Sequence, residues 1–85
     1  MSASSPTEQA KSAKRFDYTG LKCPLPVLKT RRALKDLAQG DEAIFMADDP
    51  AAPLDFEHFC ETSGHLLKEV MQENDVFLFL IQKQG

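Results

Sequence analysis

Apolar positions along this chain of 85 residues fall into blocks of two different periods. Arg15-Phe16-Asp17-Tyr18 alternates polar and aromatic side chains and runs into Thr19-Gly20, which predicts a short strand ended by a turn. From residue 24 to residue 39, Val27, Thr30, Leu34 and Leu37/Ala38 recur at helical spacing. Lys29, Arg32, Lys35 and Asp36 lie mostly off that face, and Gly40 is placed to close the helix. Ala43, Ile44, Phe45 and Met46, within residues 42–47, read as a buried strand. Asp48-Asp49-Pro50-Ala51-Ala52-Pro53 reads as a loop. Pro53 suits the first turn of a second helix, and Asp55 supplies a favourable charge near that helix's amino end. Phe56, Phe59, Cys60 and Ser63 then repeat at i, i+3, i+4, i+7, and Gly64 ends the helix. Strands are expected at residues 66–73 and 76–83, joined by a turn at Glu73-Asn74-Asp75. The last is apolar on both faces, from Val76 through Ile81, and belongs in the middle of a sheet.

The resulting order is β-α-β-α-β-β. Two amphipathic helices need a surface to cover, and a four-stranded sheet provides one. The expected fold is an α/β two-layer sandwich, a mixed four-stranded sheet with both helices on one face. The opposite sheet face keeps apolar area from the last strand and is a candidate contact surface. Residues 1–14 are polar and too poor in apolar side chains to offset their ordering entropy, so a disordered tail is expected before a domain at 15–85.

Composition narrows the class of activity. Hydrophobic residues at 42% and charged residues at 27% fit a globular domain. A formal net charge of -3 argues against direct nucleic-acid binding, which needs a basic face. The longest apolar run, six residues from Val76, is far short of the ~20 that span a bilayer, so no membrane role is expected. The first residues hold no signal-peptide h-region. The two cysteines, Cys23 and Cys60, are widely separated and are read as reduced, which together points to the cytoplasm.

The chemistry concentrates at Cys23-Pro24-Leu25-Pro26, directly after the glycine turn. Pro24 biases Cys23 toward extended backbone and supplies a preset φ for a first helical residue, which puts Cys23 at the N-cap. Pro26 has no N–H, so the Leu25 amide is the local donor toward the sulfur. Pro26 also disfavours helical geometry at Leu25, so a start one or two residues later is an open alternative. In either register the thiol faces a helix amino end, which favours the thiolate by about 0.3–1 kcal/mol. The thiolate is the reactive form of cysteine. Lys22, Lys29, Arg31 and Arg32 are candidates to add to that field, with Lys35 on the same helix. Activation without a general base suits exchange between sulfur atoms. The bland alternative is an inert small residue beside a proline-defined helix start.

Several stretches, in order, resemble the TusA/SirA-type sulfur-carrier family. They are residues 17–29 around Cys23-Pro24-Leu25-Pro26, then Ala33-Leu34, Gly40-Asp41, Ala47-Asp48-Asp49-Pro50-Ala51, Asp55-Phe56 with Phe59-Cys60, and Gly64-His65. The resemblance runs from about Phe16 to Lys83. It implies a β-α-β-α-β-β sandwich like the C-terminal domain of translation initiation factor 3. It implies that Cys23 carries a persulfide, with Pro24, Leu25 and Pro26 setting its geometry and no cofactor needed. It implies a cysteine desulfurase or a rhodanese as donor and a downstream relay protein as acceptor, ending in tRNA thiolation, molybdenum-cofactor assembly or sulfur oxidation. Ala52-Pro53-Leu54 departs from the family by being neutral where members often carry a basic or polar residue before the Asp.

Cys60 is read as buried, since free cysteine is among the most buried residue types. No Cys-x-x-Cys or His-x-x-x-His spacing accompanies His58 or His65, so no zinc site is expected. His58 is assigned to an exposed helix face. His65 is assigned to a turn-stabilising position, with tuning of Cys23 as its alternative. Asp48-Asp49 suggests a turn first and a partner-docking or metal site second. Two rival readings of the whole chain are a protein- or RNA-interaction module with an idle thiol, and a redox-sensing thiol protein.

Overall fold

The computed structural model describes residues 14–22 and 24–84. The elements are β1 (Lys14–Asp17), α1 (Leu25–Lys35), β2 (Glu42–Ala47), α2 (Ala52–Ser63), β3 (Leu66–Glu73) and β4 (Val76–Gln82). The sheet order is β1-β2-β4-β3, with β1 parallel to β2 and the other pairs antiparallel. The expected order and the mixed sheet are both present, and β4 is central as its apolar faces require.

Register decides which face each side chain joins. Phe16 opposes Phe45, and Phe45 opposes Phe79, so these three share a face. That face forms the core with Ala43, Ala47 and Ile81, against Leu34 of α1 and Phe56, Phe59 and Cys60 of α2. The Phe56 and Phe79 rings stack with centroids 4.1 Å apart, and Phe16 stacks on Phe45 at 5.0 Å. Such pairs contribute about 0.5–1.5 kcal/mol beyond the area they bury. Ile44, Met46, Leu78 and Leu80 point to the other face, where Ile44 and Leu78 are nevertheless buried. The apolar area left on that face is thus smaller than the sequence suggests.

The first helix differs from expectation at its carboxyl end, and the second matches it. α1 stops at Lys35 with Asp36 as C-cap, four residues before Gln39. Beyond it the Asp36 and Leu37 amides donate to Ala33 and Leu34 carbonyls, a tightened last turn. Leu37 stays buried although its backbone has left the helix, so the apolar spacing outlasts the helix itself. Gly40 is therefore no cap. It takes φ +93° in the following turn and donates its N–H to the Lys83 carbonyl at 2.8 Å. α2 starts at Ala52 with Pro53 in its first turn, and it ends as expected at Gly64 (φ +85°), whose N–H reaches the Cys60 carbonyl. Ser63, placed on the apolar face by spacing, is exposed. β1 starts at Lys14, a residue earlier than expected, and Asn74 turns the β3–β4 hairpin at φ +57°.

Candidate functional site

Cys23 lies outside the described residues, as does most of the tail expected at residues 1–14. Its neighbours on both sides are placed, and they frame where a reaction at position 23 would occur.

The approach to Cys23 is a tied loop. Thr19 donates from its N–H and its hydroxyl to Asp17 Oδ1, at 3.0 and 2.6 Å, forming an Asx turn. The Thr19 hydroxyl, and then its amide, hold the Asp17 carboxyl below the usual carboxylate range. The Tyr18 N–H continues the β1–β2 pairing to the Met46 carbonyl, and Leu21 N–H closes onto Tyr18. Gly20 takes φ +86°, a conformation open to glycine at little cost, and donates its N–H to Asp48 Oδ1 at 3.0 Å. Gly20, Leu21 and Lys22 face Asp48, Asp49 and Pro50 across a cavity of about 200 Å³. Asp48, expected to serve a turn or a partner, thus anchors the segment that leads into Cys23.

The departure from Cys23 is α1, and its register is the later of the two left open by the sequence. Pro24, not Cys23, is the N-cap (φ -101°, ψ 16°), with Pro26 inside the first turn. The Leu25 N–H donates to the Lys22 carbonyl at 2.8 Å, and the first intrahelical bond runs from Leu28 N–H to the Pro24 carbonyl at 3.1 Å. The Leu25 amide expected to face the sulfur is spent closing this turn. Pro26 has no N–H, so neither of the first two helical residues offers a free donor.

The other predicted site residues separate into groups. Pro24 and Arg31 line one open groove between α1 and α2. Arg31 also lies over the Phe59 ring, 5.8 Å from its centroid, a cation–π contact. Lys22 faces the Asp48 cavity instead. Lys29 and Arg32 are exposed on α1, and Pro26 is buried under it. Leu25 and Leu28 are 45% and 50% exposed, an apolar surface at the amino end of α1.

The groove measures about 580 Å³. Its α1 wall is Pro24, Val27 and Arg31. Its α2 wall is Leu54, Glu57, His58 and Glu61, an i, i+3, i+4, i+7 stripe that was legible in the sequence but overshadowed by the apolar stripe behind it. Leu54 is 68% exposed. His58 is exposed, as expected. His65 Nδ1 accepts the Gln84 N–H at 3.1 Å, and its ring lies 6.0 Å from that of Phe59. Burial, and then Lys83, lower its pKa. It lines a cavity with Leu34 and Lys35, toward the carboxyl end of α1 and away from Pro24. Cys60 is buried in the core, and that burial pushes its thiol up to about 11. Among the described residues no group of three His, Cys, Asp or Glu side chains could hold a metal, and no helix is long and apolar enough to cross a membrane.

The model of the family described as sulfurtransferase TusA matches residues 14–83, nearly the whole described chain. The chain belongs to the TusA family. Two proteins of Neisseria meningitidis, from serogroups A and B, are each 42% identical to this TusA-family chain over 71 residues. The match covers 84% of this chain and 96% of each relative, and both carry the name "putative sulfur carrier protein". The crystal structure of a SirA-like protein from Desulfitobacterium hafniense has the same fold, with a TM-score of 0.73 at 23% identity. That likeness covers 84% of this chain and 97% of the other.

Proposed function

We propose that this protein is a sulfur carrier that holds sulfane sulfur as a persulfide on Cys23. The supporting observation is the family match over residues 14–83, which contains Cys23-Pro24-Leu25-Pro26 at the entrance to α1, beside an open groove. The names of the two Neisseria relatives support the same reading.

Loading and unloading are the same exchange run in two directions. In loading, the Cys23 thiolate attacks the outer sulfur of a donor persulfide. A bond forms between Cys23 Sγ and that sulfur, the donor's S–S bond breaks, and the donor cysteine leaves as a thiolate. In unloading, an acceptor thiolate attacks the outer sulfur, and Cys23 leaves with the electron pair. The proton on the outer sulfur travels with it, and no net oxidation occurs. Donor and acceptor supply every atom, so the domain needs no cofactor for these steps. The donor in this reading is a cysteine desulfurase or a rhodanese. The acceptor is the next protein of a relay ending in thiolated tRNA, cofactor assembly or sulfur oxidation. The compartment is the cytoplasm, where thiols are kept reduced.

With Leu25's amide spent and Pro26 lacking one, charge on the sulfur depends on the α1 dipole and on cations. Lys22 lines the cavity that faces Asp48, Arg31 lines the groove shared with Pro24, and Lys29 and Arg32 are exposed on α1. Pro24, Leu25 and Pro26 form the turn that follows Cys23 in the chain.

Mass spectrometry after incubation with a cysteine desulfurase and cysteine tests the reading. A gain of about 32 Da (one sulfur atom), removed by dithiothreitol, is expected on the parent protein and on Cys60→Ser but not on Cys23→Ser. The absence of a gain, or its persistence in Cys23→Ser, would reject the carrier role. A gain of oxygen alone under mild peroxide would favour a redox-sensing thiol.

A further inference from the structure

The groove between the helices has one acidic wall, and Pro24 lines the same groove. Leu54, Glu57, His58 and Glu61 form a continuous stripe on α2, with Asp55 at its amino end, while Arg31 is the cation of the α1 wall. The Lys68–Glu42 ion pair lies elsewhere, between β3 and β2. The groove also begins at Pro24, the residue next to Cys23.

From this we infer that the groove docks an extended segment of the acceptor protein, carrying the acceptor cysteine followed by alternating basic residues of the form Lys-x-Lys. The inference rests on the carrier reading of Cys23 and specifies its partner. Glu57 and Glu61 are one helical turn apart, a rise of about 6 Å. Residues i and i+2 of an extended segment are separated by about 6.5–7 Å and face the same side. Two basic side chains in that alternation therefore match the two carboxylates. Exposed Leu54, one turn before Glu57, and half-buried Val27 on the α1 wall supply apolar contact in the same groove. Nucleic acid is disfavoured, because phosphates meet Asp55, Glu57 and Glu61 along the same wall. The step served is the unloading exchange already written, with the acceptor thiolate brought to the outer sulfur on Cys23.

Two capped peptides test it: acetyl-Cys-Ala-Leu-Lys-Ala-Lys-amide and its Glu-Ala-Glu counterpart. Sulfur transfer from the loaded protein should be about fivefold faster to the lysine peptide at low salt, as expected for two surface charge pairs, and the ratio should fall at 0.5 M NaCl. Glu57→Gln/Glu61→Gln should bring the ratio toward one. Glu69→Gln/Glu73→Gln on β3, which changes net charge equally, should leave it intact. Binding is read separately, by amide NMR shifts of Cys23→Ser protein with serine in place of the peptide cysteine. The lysine peptide should shift the groove residues of α1 and α2 selectively. No loading together with selective groove shifts would reject the carrier reading and keep the docking assignment. Equal transfer to both peptides, a preference untouched by Glu57→Gln/Glu61→Gln, or no selective shifts would overturn the docking assignment.

Discussion

The Gly20 amide donates to Asp48 Oδ1 at 3.0 Å, joining residues 28 positions apart. One partner belongs to the loop that enters Cys23, and the other follows β2. The bond thereby fixes that loop to the end of a central strand, and the left-handed conformation of Gly20 aims its N–H sideways to make the contact.

Removing the Asp48 acceptor should loosen this anchorage without dismantling the core. Asp48→Ala is expected to lower stability by about 1 kcal/mol, the net worth of an ordinary hydrogen bond, read by urea unfolding. Gly20 amide exchange should accelerate in the same variant. Asp48→Asn keeps an oxygen acceptor and should recover most of both effects. Equal behaviour of the two variants would mean that the carboxylate charge, not the hydrogen bond, matters.

Thr30 is fully buried under α1, and its hydroxyl has no hydrogen-bond partner among the described residues. A buried unsatisfied polar group costs about 1–3 kcal/mol. Thr30→Val keeps the branched shape and replaces the hydroxyl with a methyl. Stability should rise by about 1 kcal/mol. A loss would show that the hydroxyl is satisfied in solution.

Periodicity made most of the fold legible and failed where ends depend on distant residues. Thr30 and Leu34 were assigned to the inner face of α1 by spacing alone, and both are buried. The same spacing carried the expected helix on to Gln39, because Leu37 is also buried. Its stop at Lys35 involves partners that spacing does not encode. Asp41 accepts the Ala38 N–H, and Lys83 Nζ donates to the Leu37 carbonyl from 46 residues away. At the other end, the two prolines pointed to a helix start but not its register, which the Leu25–Lys22 bond sets one residue later. The Gly20–Asp48 anchor could not be read locally either. The acidic stripe on α2 could have been, since helical spacing alone groups Leu54, Glu57, His58 and Glu61.

Gly64 ends α2 at φ +85°, and a Cβ placed on it would meet nothing within 4 Å. A substitution there changes backbone energy without a steric clash. Gly64→Ala should cost about 1 kcal/mol, and Gly64→Asn less, because asparagine tolerates the left-handed region better. Thermal melts of the two variants compare the costs directly. A cost for Gly64→Ala well above 2 kcal/mol would indicate that the αβ turn itself rearranges.

Cys60 gives the protein an alkaline limit with a definite sign. Burial raises its folded thiol pKa from 9.0 to about 11, so the folded state retains a proton that the unfolded chain releases. Below pH 9 both states hold the proton, and the preference of the core for the neutral thiol has its full effect. As pH rises from about 9 toward 11, the unfolded state is the one that gains by ionising, and stability falls. Cys60→Ala removes that ionisation. Its melting temperature is expected to start lower at pH 7, for lost packing, yet decline less between pH 9 and 11 than that of the parent. In native protein at pH 8, iodoacetamide should leave Cys60 unmodified, whereas unfolding in urea should expose it to full labelling, read by peptide mass spectrometry. Equal alkaline slopes in parent and Cys60→Ala would show that this thiol is not the group whose ionisation limits the fold.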